Sequence, residues 1–120
     1  MANKITISGG LKWNDGTDSL EVKVSITATQ TGTQAIGNVQ NIGTSAEAIV
    51  LGDVTTIGYI GFKNKDETNY VEIDNATPLG SPAALKLLPG EGVVLPTRLT
   101  AWYAKANTAA VDLLVVAVEL

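Results

Sequence analysis

A chain of 120 residues has the length of one ordinary domain and can bury roughly two thirds of the surface its unfolded form would expose, so a single core suffices without staples. It contains no cysteine and no histidine, which removes disulfides, thiolate nucleophiles, soft metal sites and the commonest general base together. Eight basic residues stand against twelve acidic ones, a formal charge of −4 with no basic cluster to neutralise a phosphate backbone. Nucleic acid is therefore not expected as a partner. The first ten residues lack the basic start and apolar core of a signal peptide, and the longest apolar run, Leu113 to Val118, is too short to cross a bilayer. A soluble product made in the cytoplasm is the expectation, with no membrane partner.

In chain order, Lys4 to Ser8 alternates through Ile5 and Ile7, and the Gly, Asn and Asp-rich stretch from Gly9-Gly10 to Asp18 reads as a connection that contains Trp13. From Leu20 to Ala28 the apolar residues Leu20, Val22, Val24, Ile26 and Ala28 alternate strictly with polar ones, which predicts a half-buried strand. Ile36, Val39 and Ile42 have helical spacing, but Gly32, Gly37 and Gly43 oppose a helix, so Gln34 to Ile42 reads as an irregular strand or strand pair. Glu47 to Leu51 is a short strand ended by Gly52-Asp53.

Ile57 to Asn64 and Tyr70 to Asp74 are separated by the polar loop Lys65 to Asn69, which suits a hairpin turn. Pro78, Gly80 and Pro82 mark a longer loop. Ala84 to Leu88, Val93 to Leu95, Leu99 to Ala106 and Leu113 to Leu120 complete the series. About eight to ten short strands without an amphipathic helix predict an all-β chain, an antiparallel β-sandwich of jelly-roll type. Residues 1–18 form an N-terminal strand and connecting arm within the same domain, and residues 19–120 the sandwich body.

Three constellations bear on chemistry. Glu72 and Asp74 project from one strand face with a separation of roughly 7 Å, as carboxylate pairs of glycoside hydrolases do, but a solvated outer face opposite Val71 and Ile73 is the simpler reading. Asn64, Asp66 and Thr68, like Asp15 and Asp18 around Gly16, faintly resemble calcium loops; both lack the glycine and terminal glutamate of such a loop, and turn chemistry accounts for them. Trp13, Tyr59, Tyr70, Trp102 and Tyr103 are candidates for a sugar-stacking platform or for core packing. Within its Gly-rich connection, Trp13 either covers a sheet end or anchors a neighbouring subunit. No catalytic residue, metal ligand or cofactor site is assigned, and an enzyme is not expected.

The segment Gly58-Tyr59-Ile60-Gly61-Phe62-Lys63-Asn64, with Asp66, Asn69-Tyr70-Val71-Glu72-Ile73, Leu88-Pro89-Gly90-Glu91 and Tyr103-Ala104-Lys105-Ala106-Asn107-Thr108, resembles small β-sandwich structural proteins of tailed-bacteriophage virions. The resemblance covers roughly residues 43–120 and consists of strand and turn signatures. It implies a structural role in a virion made in a bacterial host without choosing the location. With the small size and the absence of reactive residues, the leading expectation is a capsid decoration or minor head protein that binds the major capsid protein or other virion proteins by non-covalent contact. A tail, baseplate or fibre component with a carbohydrate-binding role is the alternative.

A symmetric homo-oligomer, expected as a trimer, follows from the surplus of apolar strand surface. The unbroken run Leu113 to Val118 requires cover on both faces. Because Glu119 shares the parity of Leu113, Val115 and Ala117, that set is expected to face outward into a subunit interface, with Leu114, Val116, Val118 and Leu120 facing the core. Together with Trp13, Leu113, Val115 and Ala117 are the candidate interface residues.

Overall fold

The computed structural model describes residues 3–120. Ten antiparallel strands form in chain order: β1 (Asn3–Asn14), β2 (Ser19–Gln30), β3 (Ala35–Ile42), β4 (Glu47–Ala48), β5 (Tyr59–Asn64), β6 (Val71–Asp74), β7 (Leu85–Leu87), β8 (Gly92–Pro96), β9 (Tyr103–Ala106) and β10 (Val111–Val118). The chain divides into two compact units, Met1–Gly32 with Leu120, and Thr33–Glu119. A division after residue 18 would cut the β1–β2 ladder at its turn; β2 belongs with β1 and not with the sandwich body.

The second unit is the sandwich. Its eight strands lie in two four-stranded sheets, ordered β3-β10-β5-β8 and β4-β9-β6-β7. The outermost pair in sequence, β3 with β10, is hydrogen-bonded, and so are β4 with β9, β5 with β8 and β6 with β7. This nested pairing is a long hairpin rolled up, the jelly-roll arrangement. Rolling requires the chain to pass from one sheet to the other at every connection except β6–β7. The segment Lys65 to Asn69 is therefore an arch between sheets and not the turn of a hairpin: β5 pairs with β8 and β10, whereas β6 pairs with β7 and β9.

The core lies between the sheets. One sheet contributes Ile42, Ile60, Phe62, Val111, Leu113, Val115 and Ala117, the other Val71, Ile73, Leu87, Ala104 and Ala106. Trp102, in the loop before β9, packs edge-on against Phe62 with ring centroids 5.7 Å apart, and its Nε1 donates to the Leu99 carbonyl at 3.0 Å, so its one polar atom is satisfied inside the core.

Strand β10 corrects the expected facing. Leu113, Val115 and Ala117 are 0%, 1% and 0% exposed and point between the sheets, whereas Val116 is 44% exposed and Leu114 and Val118 are half-buried. The parity assigned from Glu119 fails because the strand ends at Val118. Past that end the Glu119 carboxylate serves a loop, accepting from the amides of Thr33 at 3.2 Å and Gln34 at 3.0 Å. Asp112, inside the strand and exposed, marks the solvent face correctly. Leu113, Val115 and Ala117 are core residues and not an interface.

This facing makes opposite demands on neighbouring positions. Val115→Asp should unfold the chain, since an unpaired carboxylate between the sheets costs on the order of 3–5 kcal/mol, comparable to the whole stability of a small domain. Val116→Asp should leave the circular dichroism spectrum and the thermal midpoint close to those of the parent. The reverse pattern would refute the facing.

Candidate functional site

In the first unit, β1 and β2 pair along their whole length, from Asn3 opposite Gln30 to Asn14 opposite Ser19. The stretch expected as a connection is thus strand as far as Asn14. Gly9 and Gly10 suggest a break, but both stay in the ladder opposite Val24 and Lys23, with Gly10 so close to β2 that a Cβ there would meet the Val22 carbonyl oxygen at 2.8 Å. The turn itself is short and side-chain built. Asn14 Oδ1 accepts from the Gly16 amide at 2.7 Å, and Asp15 Oδ1 accepts from Thr17 and Asp18 at 2.9 and 2.7 Å. Gly16, at φ 93°, takes the left-handed conformation that closes the turn.

Directly opposed residues in an antiparallel pair share a face. The register therefore stacks Ile5 with Ala28, Ile7 with Ile26, Gly9 with Val24, Leu11 with Val22 and Trp13 with Leu20 on one side. The other side carries Lys4, Thr6, Ser8, Lys12, Glu21, Lys23, Ser25 and Thr27. Exposure is graded along the apolar side. Ile5 is buried and Ile7, Ile26 and Ala28 are half-buried, but towards the turn Leu11 is 73% exposed, Trp13 50%, Leu20 68%, Val22 60% and Val24 39%.

Five large apolar side chains thus form one continuous patch on a two-stranded sheet. At about 100 Å² each they present on the order of 500 Å², the size of patch that a soluble surface keeps for contact with another molecule. A two-stranded hairpin is at best marginally stable alone in water, so covering this face also stabilises the arm itself. Trp13, singled out from the sequence, lies at the turn end of the patch. Its companions Leu11, Leu20, Val22 and Val24 were legible as an alternating pattern, but Leu20 to Ala28 read as a strand with a buried side.

The other constellations are absorbed by local structure. Asp66 accepts from the amides of Asn69 and Thr68 at 2.6 and 3.0 Å, and these amides hold its carboxyl below the ordinary carboxylate range. Asn64 is fully buried: its Nδ2 donates to the carbonyls of Asn69 at 2.9 Å and of Leu87 at 3.0 Å, and its Oδ1 accepts from Asp66. This amide ties β5 to the opposite sheet.

Asp74 accepts from Gly80 and Asn75, which lower its pKa in that order, so it is fixed as an ionised loop clamp and lacks the raised pKa of a general acid. Glu72 lies in register between Lys86 and Lys105 and borders a shallow hollow with Thr44, Ser45, Leu79 and Gly80. Trp102 is in the core, and the Tyr70 ring lies under the Lys86 ammonium at 4.0 Å, so the sandwich presents no shared platform containing these two rings.

No protein-family model matches the chain, and no curated protein or solved structure matches it either.

The carboxylate clamps set an acid response. Backbone amides lower the pKa of Asp15 (Asp18 foremost, then Thr17), Asp66, Asp74 and Glu119 (Gln34 foremost) in the folded chain. The unfolded chain binds protons more readily than the folded one, so their contribution is complete above the ordinary carboxylate range and is lost as pH falls through it towards the lowered values. The thermal midpoint should be level near neutrality and fall below about pH 4, and Asp66→Asn should flatten the fall. A midpoint unchanged down to pH 3 would contradict this.

Proposed function

We propose that the chain is a structural protein of a tailed-bacteriophage virion, a capsid decoration or minor head protein, and that it works by non-covalent contact through its β1–β2 arm and not by catalysis. One observation carries the reading: the half of the arm next to the turn holds Leu11, Trp13, Leu20, Val22 and Val24 exposed on a single face. Such a face has little use in a lone molecule, whereas an assembly of many chains offers it a partner surface. The resemblance of residues 43–120 to small virion proteins supports a structural role in a virion. Jelly rolls recur in viral shells and in lectins, which agrees with the reading by analogy of fold. In this proposal the sandwich is carried on the shell, the arm is the contact element without which the protein does not assemble there, and the partners are the major capsid protein and further copies of the chain.

Purified virions of the phage encoding the chain should contain it in stoichiometric copies by mass spectrometry. Leu11→Glu with Leu20→Glu should abolish incorporation while the sandwich remains folded by circular dichroism. Virions without the protein, or full incorporation of the double variant, would refute the proposal.

A further inference from the structure

We infer that the apolar patch of the arm is completed by the same patch of a second copy, the two hairpins packing face to face with their turns pointing in opposite directions. The inference rests on the proposal that the arm is the contact element, and it names the occupant. Area is the first ground. One patch of about 500 Å² is half of what a specific interface needs, and two such patches facing each other bury about 1,000 Å², the lower bound for a stable contact. A second copy brings an apolar surface of matching size and shape.

The pattern of side-chain sizes along the patch gives the direction. From the turn inward the pairs are Trp13 with Leu20, Leu11 with Val22, and Gly9 with Val24, running from large to small. Gly9 is a notch: a Cβ built there meets no atom within 4 Å. A two-fold axis crossing the strands at the middle pair lays Leu11 over Leu11 and Val22 over Val22. It carries Trp13 of each copy over Gly9 of the other, and Leu20 over Val24. Large then meets small at both ends, and two sheets about 10 Å apart are filled evenly.

With the turns side by side, Trp13 would instead meet Leu20 while Gly9 met Val24, splaying the sheets at one end. That arrangement would also bring together the Asp15 and Asp18 carboxylates of both turns, whereas opposed turns keep them apart. The contact is isologous and closes as a dimer, in place of the trimer expected from the sequence.

Gly9→Leu separates fold from contact, because its side chain has open space in the monomer but fills the notch that Trp13 needs. In sedimentation equilibrium on the full chain, the parent should be a dimer. Gly9→Leu and Trp13→Ala should each weaken it by about thirtyfold or more, the loss typical of an aromatic anchor deprived of its pocket, with circular dichroism unchanged. Ser8→Leu, on the polar face, should leave the dimer intact.

Direction is read by cross-linking, since the chain has no cysteine of its own. Leu11→Cys should give a covalent dimer with a bis-maleimide of about 10 Å reach, and Asp15→Cys, about 27 Å from its mate at eight strand residues, should not. A monomeric or trimeric parent, a Gly9→Leu variant that associates as the parent does, or cross-linking at Asp15 but not at Leu11 would overturn the inference. A monomeric parent that still decorates particles would overturn only this inference. A dimer absent from particles would instead overturn the functional proposal and leave the inference standing.

Discussion

The two-residue period of the antiparallel strand governs both units of this chain. Opposed residues share a face and neighbours along the strand do not, so one register decides the fate of every side chain in a ladder. In β10 the register opposite β3 and β5 sends Val111, Leu113, Val115 and Ala117 into the core. In the arm the same rule gathers Leu11, Trp13, Leu20, Val22 and Val24 on one side. The sandwich has a second sheet to cover its inner face. Among the described residues the half of the arm next to the turn has no such cover, and the proposed role of the protein follows from this difference.

A rolled hairpin must cross between sheets at nearly every connection, and at each crossing backbone groups leave the ladders and need other partners. Short polar side chains supply them. Gln40 on β3 reaches the segment around β4, donating to the Ala48 carbonyl at 2.9 Å and accepting from the Val50 amide at 2.9 Å. Asn64 and Asp66 close the β5–β6 arch, and Glu91 accepts from the Leu88 amide at 2.7 Å between β7 and β8. These residues have the chemistry that catalysis or metal binding would use, but their polar atoms are committed to the backbone. Their spacing in sequence reflects the arches, which is why calcium-like patterns arise in a chain that uses them as clamps, and of the carboxylate pair Asp74 is such a clamp.

Strand identity was legible because alternation and turn residues are local. Leu20 to Ala28, Tyr70 to Asp74 and Val93 to Leu95 correspond closely to β2, β6 and β8, and the sandwich class follows from their number and spacing. Partnership was not legible, because it depends on registers set far away in the chain. The loop Lys65 to Asn69 has the composition of a hairpin turn yet bridges two sheets, since Asn64 is held by Leu87 of the opposite sheet. The facing of β10 was readable from Asp112; Glu119 misled because it lies one residue beyond the strand. Gly9-Gly10 concealed the continuity of β1, and with it the fact that the alternating strand from Leu20 has one partner strand and an exposed apolar side.

The central claim is that the arm's exposed apolar face is covered when the protein is at work. Amide hydrogen exchange on the arm, compared between dilute free chain and purified particles, tests it most directly. The account predicts that amides of residues 9–13 and 20–24 exchange quickly in the dilute chain and are strongly protected in the particle, with the sandwich strands equally protected in both. Equal, rapid exchange of the arm in both states would contradict it.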